Sequence, residues 1–167
     1  MISLKKKQTG LGLSQSKGFT IVELLIVIVV IGILAAIVIT TFVGVQKRAR
    51  DSERKSDLQA ISSQVEVYFA DKTQYPSLAE INNTNPTDFR TNNLKGLKDE
   101  ALTDPSGTAG AVLAATAPAG NSSTYQYAYV VSPTGCDNSV GNECTGFTLE
   151  ANLENSDTNH QVTGSNN

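Results

Sequence analysis

Hydrophobic and polar positions change their pattern twice along this chain. From Leu24 to Gln46 there are 23 consecutive uncharged residues, dominated by Leu, Ile and Val, with no proline. At ~1.5 Å rise per residue a helix of that length covers roughly 34 Å, slightly more than a bilayer's hydrocarbon core. Hydrocarbon offers backbone groups no hydrogen bonds, so a single spanning segment must be helical. Beyond it, Leu58, Ile61, Val65 and Tyr68 recur at three- and four-residue steps, with Phe69 beside them. That is one apolar stripe on an otherwise polar helix. The two patterns predict one long helix, membrane-embedded over 19–45 and amphipathic over 46–72. Tyr75-Pro76-Ser77 marks its exit, because proline disfavours helix at the preceding residue.

Residues 73–124 read as irregular. Asn82-Asn83-Thr84-Asn85-Pro86 and Asp104-Pro105-Ser106-Gly107 are turn signals. Leu78 and Ile81 suit one short helical turn, and residues 108–123, rich in Ala, Gly, Thr and Ser, suit a loop or an edge strand. The third pattern has period two. Tyr125, Tyr127, Tyr129 and Val131 alternate with Gln126, Ala128 and Val130. Phe147, Leu149, Ala151 and Leu153 alternate with Thr148, Glu150, Asn152 and Glu154. Residues 125–154 are therefore expected to form an antiparallel β-hairpin with 132–145 as its loop. In the polar tail 155–167, His160-Gln161-Val162 suits a short edge strand, and disorder is expected from Gly164. The fold class is α+β: a long N-terminal helix packed on a small antiparallel sheet.

Charge orients the apolar segment. Lys5, Lys6, Lys7 and Lys17 precede it, with no acid before Glu23. That asymmetry predicts a cytoplasmic N-terminus and an exported C-terminal part of about 120 residues, enough for one small domain. Export makes a disulfide the natural reading of Cys136 and Cys144, two free thiols being the alternative. Closing so short a loop restricts the unfolded chain by about 2–3 kcal/mol. The basic residues Lys47, Arg48, Arg50, Arg54 and Lys55 read as a solvated helix surface paired with Asp51, Glu53 and Asp57, or as a contact for acidic surfaces of neighbours. The remainder is acidic, which disfavours nucleic acid binding by the exported head.

No catalytic constellation emerges. His160, the single histidine, lies in the polar tail and is expected to be solvated. Both cysteines are claimed by the disulfide. Gly10, Gly12 and Gly18 lack the Lys-Ser/Thr of a phosphate loop. The sequons Asn82-Asn83-Thr84 and Asn121-Ser122-Ser123 are read equally well as chance in an Asn- and Ser-rich chain and as glycan sites.

Glu23 is the anomaly, since a carboxylate in the first turns of a membrane helix is costly without a partner. A snorkelling acid at a helix N-terminus accounts for its position. The string Lys17-Gly18-Phe19-Thr20-Ile21-Val22-Glu23, followed by the apolar run, resembles the class III signal sequence of type IV pilins and pseudopilins. The resemblance is strongest over residues 17–50. It implies removal of the basic leader 1–18 by a prepilin peptidase between Gly18 and Phe19, and N-methylation of Phe19. The mature chain would then carry 9 basic against 16 acidic residues, a net charge of 9 − 16 = −7. It also implies that Glu23 meets the N-terminal amine of a neighbouring subunit, a buried pair that sets register more than it adds stability. Many such pilins carry a proline about one turn before the apolar segment ends, where this chain has Thr40-Thr41.

The expectation is thus a single-pass membrane protein that an inner-membrane assembly platform draws from the bilayer into an extracellular, pilus-like filament of identical or related subunits. The pseudopilins of type II secretion or DNA-uptake machines are the alternative within the family. There an Asp-Pro turn often lies near a calcium site, making Asp99, Glu100 and Asp104 the calcium candidates; a solvated turn is the simpler account. No other cofactor is implied. Outside the family, a single-span anchored binding module and a secreted enzyme with a cleaved signal compete.

Overall fold

A computed structural model describes residues 18–83, 89–107, 110, 112–116, 119 and 125–166. The leader up to Lys17, the end of the first sequon and the whole of the second lie outside the described residues, as does most of 108–123. The chain divides into two compact units, one ending at Thr41 and one running from Phe42 to Asn167. The first helix, α1 (Ile21–Lys72, 52 residues), contributes to both.

Within the first unit α1 packs its apolar surface on nothing among the described residues. Every described side chain from Ile21 to Ile39 is exposed. An 18-residue window of α1 reaches a mean hydropathy of 3.3 with none of it buried, so length and composition suffice to cross a membrane. The hydroxyl of Thr41 donates to the carbonyls of Val38 (3.0 Å) and Ile37 (3.4 Å). Spending its donor inside the helix is how a threonine fits an apolar stretch without an exposed polar group.

In the second unit the stripe does what its spacing predicts. Leu58, Ile61 and Val65 are wholly buried and Tyr68 nearly so. They meet a three-stranded antiparallel sheet of β1 (Ala128–Ser132), β2 (Gly146–Ala151) and β3 (His160–Thr163), in the order β1-β2-β3. Val131 pairs with Phe147 and Tyr129 with Leu149, so the expected hairpin forms in a register that puts the alternating set inside. Tyr127, Tyr129, Phe147, Leu149 and Ala151 join the helical stripe in one core with Ile81, Leu94, Leu102 and Leu113. Tyr75 lies edge-on to Phe147, ring centres 4.9 Å apart, and the Tyr129 hydroxyl donates to the Pro76 carbonyl at 2.9 Å.

The connection after α1 is more structured than its composition suggests. α2 (Leu78–Ile81) is the expected short turn, and Ser77 and Glu80 close a capping box at its start. α3 (Phe89–Asn93) and a 3₁₀ turn (Asp99–Leu102) follow, in a stretch read as irregular. Each inserts a buried leucine, Leu94 just after α3 and Leu102 in the turn, which organises polar sequence around an apolar anchor. Among the described residues of 108–123, Ala114 forms one parallel bridge, to Ala128.

Three expectations need correction. β1 begins at Ala128, three residues later than Tyr125, and β2 ends at Ala151. The tail is ordered through Asn166. Gly164 donates to the Phe147 carbonyl (3.0 Å), and Ser165 to Glu66 (2.8 Å). A Cβ on Gly164 would stand 2.9 Å from the Phe147 ring, so only glycine allows this close approach. His160 is half-buried in β3 opposite Ala151, and burial, with the Lys55 charge, lowers its pKa below the ordinary imidazole value.

Candidate assembly site

Gly18, Phe19 and Thr20 form an exposed lead-in to α1 with no regular secondary structure; Phe19 is 89% exposed. No neighbouring atom approaches within 4 Å of where a Gly18 Cβ would stand. Among the described residues nothing covers the Gly18–Phe19 bond.

Thr20 and Glu23 form a reciprocal cap. The Thr20 backbone N–H and hydroxyl both donate to Glu23 Oε2, at 2.9 and 2.8 Å, and the Glu23 N–H donates to the Thr20 hydroxyl at 3.2 Å. This is the capping box its Thr-x-x-Glu spacing permits. Glu23 Oε1 accepts no hydrogen bond among the described residues. The carboxylate thus anchors the helix start through one oxygen.

The head has its own charged centre, which sequence reasoning placed on the surface. Arg54 is wholly buried. Its guanidinium grips Asp104 with two hydrogen bonds of 2.8 and 3.0 Å, Asp51 at 2.8 Å and Glu154 at 3.1 Å, and lies 4.8 Å from the centre of the Tyr125 ring. Arg50 adds a bidentate pair to Glu154, both contacts 2.6 Å. The hydrogen bonds from Arg50, with help from Arg54, overcome burial and hold the Glu154 carboxyl down at about 2. Burial pushes Asp51 up, but donors from Glu154, Asn155 and Arg54 outweigh it and leave this carboxyl below its ordinary value. Asp57 moves the other way: burial raises it, although the Tyr127 hydroxyl donates to it at 2.7 Å.

The signal for Arg54 was in the register. Positions 51, 54, 58, 61, 65 and 68 continue one face at steps of three and four, so Asp51 and Arg54 belong to the buried stripe. Asp104 and Glu154, 50 and 100 residues away from Arg54, carry no such local mark.

This arrangement also fixes the calcium candidates. Both Asp104 oxygens face Arg54, Asp99 pairs with Arg90 at 3.3 Å, and Glu100 is exposed. Among the described residues no three His, Cys, Asp or Glu side chains are grouped to hold a metal.

Cys136 and Cys144 form a disulfide that closes the β1–β2 loop. Asn138, in the left-handed region at φ 63°, fills the loop: its amide donates to the Tyr75 carbonyl and Glu80, and its oxygen accepts from Cys144 N–H. The loop is thereby tied to the end of α1, with Tyr75 N–H donating to the Cys144 carbonyl at 2.8 Å.

A capped glutamate thus stands at the head of an exposed apolar helix, four residues after the Gly18–Phe19 bond. Residues 13–39 match the prokaryotic N-terminal methylation motif. Over 65 residues the chain is 42% identical to the type IV major pilin protein PilA of Myxococcus xanthus, covering 39% of this chain and 30% of that protein. Over 63 residues it is 35% identical to type II secretion system core protein G of Dickeya chrysanthemi, covering 38% of this chain and 41% of the relative. The corresponding protein of Pseudomonas aeruginosa is 36% identical over 63 residues, 38% of this chain and 44% of the relative. The chain thus spans less than half the length of each of these relatives. No solved structure matches it.

Proposed function

We propose that this chain is a structural, non-catalytic subunit of a type IV pilus-like filament. A prepilin peptidase cuts between Gly18 and Phe19, and Phe19 is N-methylated. The N-terminus faces the cytoplasm, the head lies outside, and the subunit waits in the bilayer before an inner-membrane platform adds it to the filament. The observation that carries this is the pairing of the methylation motif with an apolar helix that buries none of its most hydrophobic window. Such a surface must pass from lipid to like helices without meeting water. Glu23 Oε1 supplies the acceptor for the Phe19 amine of the next subunit.

The matches to core protein G favour a second reading, a pseudopilin of a secretion machine. N-terminal sequencing of envelope material tests both. A methylated start at Phe19 supports a pilin or pseudopilin; an intact Met1 supports a plain anchor. Long surface filaments of the full chain favour the pilin, whereas loss of protein export on its deletion, without such filaments, favours the pseudopilin. Glu23→Ala is expected to be processed normally yet to abolish filaments; normal filaments from it would sink the register role.

A further inference from the structure

The head presents two complementary features at opposite ends. One is the disulfide loop. Val140 at its tip is fully exposed, at 103% of the reference value, against 62% and 37% for the head's other exposed large apolar residues beyond the apolar segment, Val67 and Val112. A lone valine in water is unremarkable by itself, but this one stands on a rigid mount. Asp137 accepts from the Ser139 N–H and hydroxyl and from the Asn142 amide, at 3.0, 2.6 and 2.9 Å, and Glu143 accepts from Gly141 N–H at 3.0 Å. These bonds hold both carboxyls below their ordinary values, so the tip is anionic. No Lys, Arg or His lies between Cys136 and Cys144.

The other feature is a groove of about 440 Å³ at the start of the head, between the exposed Arg48 and Lys55, with Leu153, Asn155 and Ser156 on its far side. Neither cation has an ion-pair partner among the described residues, and the Asp51 carboxylate beside them is already committed to Arg54 and Asn155. The groove is therefore cationic at its rim, with an aliphatic side chain in its wall.

The two cannot meet within one molecule. The loop is bound to Tyr75, just past the end of α1, and the groove lies at residues 48–55. The 17 residues from Lys55 to Lys72 alone put about 26 Å of helix between them. We propose that the disulfide loop of one copy docks, Val140 first, into the Arg48–Lys55 groove of a second copy. A contact joining different ends of identical chains is heterologous, and unless its rotation closes a ring it repeats along an open array, as the filament reading requires. The loop is already ordered, which keeps the entropic cost of docking small. Opposite charge at the rims fixes orientation and disfavours loop-to-loop pairing. The proposal rests on the filament reading, and it adds which surfaces of the heads touch.

The test places a photo-crosslinking amino acid at position 140 of the full-length chain, where a wholly exposed side chain is free to change. The expected product is a covalent dimer whose second attachment maps to residues 48–55 or 153–156. Combining Arg48→Glu with Lys55→Glu in the same chain should lower its yield about tenfold, as like-charge juxtaposition at an interface does. Attachment elsewhere, to lipid or to an unrelated protein, overturns the proposal, as does a yield unchanged by the charge reversal. If filaments form while the crosslink maps elsewhere, the filament reading survives and the docking contact does not. If neither filaments nor a crosslinked dimer forms, both fall.

Discussion

The helix up to Thr41 and the head after it use similar residues to opposite ends. In the head, Leu58, Ile61 and Val65 are wholly covered by a sheet on the same chain. In the first unit, Leu24, Ile28, Ile31 and Leu34 are each more than half exposed. The charged groups divide likewise. Arg54 finds three carboxylates within its own fold, whereas Glu23 finds only Thr20 among the described residues. The head buries its stripe within its own fold, whereas the described side chains of the apolar helix before Thr41 stay exposed. On the proposed filament reading, the second surface is the one left for lipid and assembly.

Separating the two parts gives the largest effect. A chain beginning at Gln46 is expected to be soluble and folded, while the chain from Phe19 needs detergent or lipid. Sedimentation with circular dichroism reads this as all or none, and an unfolded or aggregated head fragment would break the contrast. Next comes the ionic centre. Arg54→Ala leaves buried carboxylates without their cation and is expected to cost the head about 3–5 kcal/mol in denaturant unfolding. Arg54→Lys should recover only part, because an ammonium cannot make the paired contact with Asp104. Replacing both Cys136 and Cys144 by serine should cost about 2–3 kcal/mol, without affecting membrane insertion of α1.

The effect spread most gradually is a pH dependence of the head. The Glu154 pKa is lowered in the fold, from 4.5 to about 2. Its contribution is therefore fully present above about pH 4.5 and is lost as pH falls through 2. Asp51, also lowered, acts in the same direction, and Asp57, raised by burial, opposes it. Unfolding free energy measured between pH 5 and 2 should fall, and Glu154→Gln should flatten that slope.

What could be read in advance follows from the range of the forces. The apolar run, the 58–68 stripe and the hairpin are local periodicities; the first two lie on α1 as the pattern put them, and the hairpin forms with strands shorter than 125–154. The capping box at Thr20 and Glu23 was equally local, but it was obscured by the cost of the acid. Arg54 was legible from its phase on the stripe and misjudged by its charge. Its partners Asp104 and Glu154 were not legible, because nothing near either one specifies a contact 50 or 100 residues away. The tail beyond Thr163 looked like solvent-facing polar sequence. Its order depends on the shape of the Phe147 ring under Gly164, a matter of packing that composition does not encode.

The position of the two arginines bears on mechanical strength. Along α1, Arg50 and Arg54 come before Leu58, the first wholly buried apolar residue of the stripe. Tension entering the head through the helix therefore meets guanidinium–carboxylate bonds before it reaches the hydrophobic core. The arginines sit one turn apart and hold two distant stretches, at Asp104 and at Glu154. The load is shared between them rather than taken in sequence, as with two bolts on one bracket. A variant lacking one would lose pulling resistance out of proportion to its equilibrium stability.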